Sequence, residues 1–138
     1  MTKEKVYSPA QTGTGTFIGG PAASVFFIAK NYSSLRDEAH FKKTILIGSI
    51  SCFVLLLVIP FLPESFPKMA FPFANIYLAQ HIVSIYQFKK QSIIDSEAFT
   101  FHSNWRVFLV SLLFLLLSCV VIVAYIFVLI VGFGIHLK

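Results

Sequence analysis

Residues 107–135 read "VFLVSLLFLLLSCVVIVAYIFVLIVGFGI", 29 positions without a charged side chain. As a helix rising 1.5 Å per residue this run is ~43 Å long. The hydrocarbon core of a bilayer is about 30 Å thick, so the helix has length to spare and must tilt, kink or project its C-terminal residues. Ser103 or Asn104 suits its N-cap. Ser111, Ser118, Tyr125 and Gly132 recur on it at seven-residue spacing, with Leu115, Ile122 and Leu129 between them. Small residues at a period of 3.5 let a second helix approach closely, so this stripe is a candidate packing seam.

The rest of the chain agrees with a lipid setting. Of its 138 residues 57% are hydrophobic and only 12% charged, about half the share of a soluble domain. Cys52 and Cys119 both lie in apolar runs, without paired spacing or a neighbouring histidine, and read as small packing residues. The net charge of +5 comes from Lys and Arg near the ends of apolar segments, a membrane pattern that calls for no nucleic-acid partner.

Upstream, residues 45–62 supply 18 uncharged positions closed by Pro60, long enough to span. Ser34 with Asp37 has the spacing of a capping pattern for the charged turns that precede this run. "PFLPESFP" is a proline-punctuated turn, and residues 69–88 form a further uncharged run. On that run Gln80, Ser84, Gln87 and then Gln91 recur at helical spacing, making a polar stripe on an apolar helix. In lipid such groups must face protein, water or headgroups, so the stripe is either a partner interface, a pore lining or a headgroup-facing surface. His81 beside Gln80 is the one strongly polar pair deep in a candidate span. With no acidic partner in any apolar run, a structural neutral imidazole is favoured over a proton relay.

The N-terminal region is the least regular. Residues 1–16 are a polar, Gly/Thr-rich tail without the apolar core of a cleavable signal. "GTFIGGPAASVFFIAKNY" follows from residue 15: Gly19 and Gly20 permit a tight turn and close packing, and Pro21 suits a first helical turn. The helix expected over 21–31 is only ~15 Å long and cannot cross a bilayer alone. A re-entrant or interfacial helix is predicted. The same glycines lack the Lys-Ser/Thr of a phosphate loop and its strand–loop–helix context.

Charge counting compares two topologies. If residues 21–31 span, Lys30, Arg36, Lys42, Lys43, Lys89, Lys90 and Arg106 face Lys3, Lys5, Lys68 and Lys138, a split of 7 to 4. If they only dip in, Lys3 and Lys5 join the basic side and the split becomes 9 to 2. The positive-inside rule favours the second, with the N-terminus cytoplasmic and the C-terminus outside. The expectation is therefore an all-α integral membrane protein. A polar tail over 1–16 leads a single helical domain over 17–138, with a short helix at 21–31 and spans near 44–62, 69–88 and 106–135. A four-helix membrane bundle is the alternative.

"FIGGPAAS", "AKNYSSL" and "FHSNWRV", with Gly19, Gly20, Pro21, Ala23, Asn31, Tyr32 and Trp105 as the distinctive positions, resemble a group of small bacterial inner-membrane proteins. The resemblance implies a bacterial cytoplasmic-membrane setting and brings no activity with it.

Four histidines are scattered without ligand spacing, and no Ser/His/Asp or Cys/His arrangement is visible, so no catalytic, cofactor or metal residues are expected. The function expected is that of a non-catalytic accessory or assembly subunit of a larger membrane complex. An immunity-type protein neutralising a membrane-acting toxin, and a homo-oligomeric transporter or channel, are the alternatives. The expected partners are the lipid bilayer and another membrane protein or further copies of the chain. Gly19, Gly20, Pro21, Gln80, His81, Ser84, Gln87, Ser111, Ser118, Tyr125 and Gly132 are the candidate packing or interface residues.

Overall fold

The computed structural model describes residues 2–87, 95 and 97–134, and these are mostly helical. Lys89, Lys90, Gln91, His136 and Lys138 lie outside the described residues, as do positions 88 and 135 of the expected spans. In chain order the elements are β1 (Glu4–Val6), α1 (Pro9–Ser34), α2 (Glu38–Val58), α3 (Ala70–Ile82), β2 (Phe99–Phe101) and α4 (Asn104–Phe133). A single 3-10 turn, Ile59–Phe61, closes α2 at Pro60, and α3 widens into a π turn over Val83–Gln87.

Two of the four helices among the described residues are long and apolar enough to cross a membrane: Glu38–Phe61, which is α2 with its closing turn, and α4. On α4, Ser103 accepts the Trp105 N–H at 3.2 Å, and Gly134 ends the helix in the left-handed region at φ 63°. Asp37, rather than Ser34, caps α2 by accepting the His40 N–H at 3.1 Å. Ser34 still belongs to α1, where its hydroxyl donates to the Lys5 carbonyl. The third expected span is shorter than the uncharged run that suggested it. Its regular part is 13 residues, ~20 Å, and the five-residue π turn extends it.

The largest departure from the sequence reading is α1. A straight helix over its length would hold Tyr7 and Asn31 ~36 Å apart. Instead the Asn31 side chain bonds both the N–H and the C=O of Tyr7. The chain reverses at Gly20, whose φ of 75° and ψ of −165° belong to a region open in practice only to glycine. Pro21 then starts a second arm with its fixed φ and its dispensable N–H. The arms, residues 9–19 and 21–34, lie antiparallel, with Gly15 under the Phe27 ring and Gly19 against Ala23. The helix expected over 21–31 is thus one arm of a hairpin.

The tail is ordered for local reasons. Ser8 and Gln11 form a reciprocal capping box around Pro9, satisfying two N–H groups at the helix start. Gln11 also donates to the His102 carbonyl at 2.7 Å and to Asn104 at 2.8 Å. β1 pairs in parallel with β2, Glu4 opposite Phe99 and Val6 opposite Phe101. Since each strand leads directly into a helix, α1 and α4 start from the same end of the molecule. Residues 4–8, 31–37 and 98–104 are gathered at that end, called the base below.

Every extensive helix–helix contact involves α1, while α2, α3 and α4 scarcely touch one another. The reason is side-chain size. Gly13 abuts Gln80 of α3, Gly19 abuts the Ser111 backbone of α4, and Val25 meets Gly48 of α2. Tyr7, Ala23, Phe27 and Val107 make one core cluster towards α4; Ile28, Tyr32, Ala79 and Val83 make another towards α3. The Gly, Ser and Thr content that disqualifies 9–19 as a lipid-facing helix suits it to the centre of the bundle.

Candidate functional site

The polar stripe of α3 is turned onto the hairpin. Gln87 accepts from the Asn31 amide at 3.0 Å and donates to the Ile28 carbonyl at 2.9 Å. Gln80 lies against Gly13, and Ser84 is half-buried. His81 points away from the hairpin, exposed and stacked on Tyr77 with ring centroids 5.6 Å apart. On α4, Ser111 is fully buried and returns its hydroxyl to the Val107 carbonyl at 2.6 Å, leaving its backbone to meet Gly19. Ser118 and Tyr125 are half-buried, and Gly132 is exposed, with only Val128 of its own helix close to where a Cβ would stand. Of the two adjacent glycines only Gly19 is closely packed. A Cβ on Gly20 would meet nothing within 4 Å, so close packing there, expected from the sequence, gives way to a purely conformational role.

Gln11, Gly13, Tyr7 and His102 are not singled out from the sequence, and Asn31 stands there only as a distinctive position of the resemblance, although the Ser8-Pro9-x-Gln11 capping signal is legible. Asn31, Gln11, Tyr7 and His102 meet at the base. Tyr7 stacks on His102 at 4.2 Å and meets the Phe27 edge at 4.7 Å. The Tyr7, Thr12 and Thr16 hydroxyls and both His102 ring nitrogens are buried without a hydrogen-bond partner among the described residues. Burial, and then the positive charges of Arg106, Lys5 and Lys30, lower the His102 pKa to about 4, so the imidazole is neutral at pH 7. Burial likewise raises the Tyr7 phenol, with Arg106 opposing the shift.

A concavity lies on the other side of the hairpin. α2 and α3 both pack on the 21–34 arm and leave between them a crevice of about 480 Å3. That falls within the ~300–1,000 Å3 of small-molecule sites. Its walls are mainly apolar, including Ile47, Leu55 and Leu78, and its base end carries Tyr32, His40 and Lys43. Among the described residues no carboxylate lines it. His40 stacks on Tyr32 at 5.3 Å, and its ring lies 2.7 Å from Asp37. The His40 backbone N–H, and then its ring, hold the Asp37 carboxyl below the usual range. Lys42 reaches Glu38 at 3.9 Å on the neighbouring face, whereas Lys43 has no carboxylate partner among the described residues.

Among the described residues no three His, Cys, Asp or Glu side chains gather closely enough to hold a metal. Cys52 and Cys119 are separate thiols, the first lining the crevice and the second exposed on α4. Compared with protein-family models, with curated proteins and with solved structures, the chain matches none.

Proposed function

We propose that this chain is an integral membrane protein that works by association, as a non-catalytic accessory or assembly subunit of a larger membrane complex. One observation carries the reading. α2 contains no buried residue, and α4 buries only Val107, Ser111 and Leu129 over 30 positions. A hairpin too short to cover either helix leaves two apolar cylinders whose remaining surface must meet lipid or another protein. Gly132, with the partly covered Ser118 and Tyr125, keeps part of the α4 seam open to a second helix.

The proposed placement in the bilayer follows from the hairpin. Each arm is ~16–21 Å long, so α1 enters from the base and returns to it without crossing a core about 30 Å thick. α2, α3 with its π turn, and α4 are the three crossing segments. Lys3, Lys5, Lys30, Arg36, Lys42, Lys43 and Arg106 then lie towards the base, and Lys68 lies in the connection at the opposite end. By the positive-inside rule the base is cytoplasmic and the C-terminus lies outside. The bacterial cytoplasmic membrane is the setting the sequence resemblance supports.

A pore lined by the α3 stripe has lost its main argument, because Gln87 is bonded to the hairpin and Gln80 lies against it. The immunity-type reading uses the same uncovered faces and is separated by the identity of the partner. The test is purification of the full chain in mild detergent with mass analysis of the particle. A different polypeptide in fixed ratio is the expected result. A lone monomer from native membranes overturns the reading, and a closed ring of identical copies replaces it with self-association.

A further inference from the structure

We infer that the crevice between α2 and α3 is a binding site for one acyl chain of an anionic lipid, with the lipid headgroup held at Lys43. Three observations converge on that chemistry. The ionisable side chains His40 and Lys43 stand with Tyr32 at the base end, and further in the walls are Ile47, Leu55 and Leu78 with only the uncharged polar groups Ser24, Ser51 and Asn75 among them. The distance along α2 from Lys43 to Leu55 is ~18 Å, close to the ~15 Å depth of one leaflet's hydrocarbon. At the base end, Lys43 is a cation without a carboxylate partner among the described residues, and no acid lines the walls to repel an anion.

The order of groups matches an amphiphile entering from the base. A headgroup phosphate meets the Lys43 ammonium at the depth where juxtamembrane lysines attract anionic lipid. The chain below it covers apolar surface that neither α2 nor α3 covers for the other. The 21–34 arm forms the floor, so the hairpin supplies the shape and α2 supplies the charge. A partner's transmembrane helix is a poorer fit. A slot of about 480 Å3 suits one slender chain, and Lys43 would have to be neutralised by an acid on that helix. The inference rests on the membrane placement proposed above and is independent of the association.

The test titrates the full chain, purified in mild detergent, with palmitoyl-oleoyl phosphatidylglycerol or with the phosphatidylcholine of the same chains. Bound lipid is counted by native mass spectrometry. One phosphatidylglycerol is expected to be retained in preference to phosphatidylcholine. Lys43→Gln should weaken the anionic lipid about five-fold and leave the zwitterionic one unchanged. Lys42→Gln, which removes a charge on the same helix outside the crevice, should change neither. Ser51→Trp, placed to fill the middle of the crevice, should abolish retention of both. Equal retention of the two lipids by the native chain overturns the inference, as do equal effects of the two lysine variants. A polypeptide found in the crevice in place of lipid overturns it too. Recovery of the chain from the soluble fraction is a separate result, and it overturns the membrane placement instead.

Discussion

Asn31 holds both backbone groups of Tyr7: its side-chain oxygen accepts the Tyr7 N–H at 2.8 Å, and its amide donates to the Tyr7 carbonyl at 2.9 Å. Both residues are fully buried, and the pair closes the open end of the α1 hairpin opposite the Gly20 turn. The same amide also reaches Gln87, tying the hairpin to the end of α3.

Asn31→Leu would leave the Tyr7 N–H, the Tyr7 carbonyl and the Gln87 oxygen without this partner. Each buried group left unsatisfied costs ~1–3 kcal/mol. A loss of several kcal/mol is expected, read as a lowered unfolding temperature in detergent. Asn31→Asp should also destabilise, because a carboxylate accepts the Tyr7 N–H but cannot donate to its carbonyl. Native-like stability in Asn31→Leu would show that the clasp does not hold the hairpin.

The adjacent glycines should respond differently to side-chain size. Gly20 is required for its backbone angles, and a substituent there points into open space. Gly20→Ala and Gly20→Leu should therefore cost nearly the same, ~1–3 kcal/mol. At Gly19 a Cβ would lie 2.9 Å from the Ser111 carbonyl oxygen and 2.6 Å from the Ala23 Cβ, so Gly19→Leu should be far worse than Gly19→Ala. Thermal unfolding of the four variants settles the point, and a size-graded response at Gly20 would contradict the turn geometry.

Acidification should loosen the base. His102 is neutral in the fold, with a pKa of about 4 against an ordinary value of 6.5. Between those values the unfolded chain binds more protons than the folded one, so stability falls as pH drops from about 6.5 towards 4. At 1.36 kcal/mol per pKa unit the loss is at most of the order of 3 kcal/mol, and smaller where solvent screens the ring. Protection factors of the Tyr7 and His102 amides, taken against the intrinsic exchange rate at each pH, should fall over this window. His102→Phe, which keeps a ring on Tyr7 and removes the titration, should flatten the profile. An unchanged pH profile in that variant would assign the effect to another group.

Side-specific labelling checks the hairpin in cells. In a chain with Cys52 and Cys119 replaced by Ser, an impermeant thiol reagent should label Lys68→Cys and leave Lys3→Cys and Lys42→Cys unmodified. Labelling of Lys3→Cys without Lys42→Cys would mean that α1 crosses the membrane, contrary to the reversal at Gly20.

The apolar character of α2 and α4 was determined by the sequence itself, because an uncharged run long enough to span is a property of consecutive residues and needs no neighbour. The same holds for the turn before Pro21, for the Ser8–Gln11 capping signal and for the period of the Gln80, Ser84 and Gln87 stripe. Tertiary structure decided what those signals face. The polar residues of 9–19 look unsuited to an apolar bundle until three helices close around them, when small size outweighs polarity. A helical period places Gln87 on a face but cannot name Asn31 as its partner, and a separation of 24 positions between Tyr7 and Asn31 leaves no local trace of their contact. The crevice, too, exists only in three dimensions. It is the space left when α2 and α3 both pack on the hairpin rather than on each other, and so bring Lys43 to the mouth of an apolar slot.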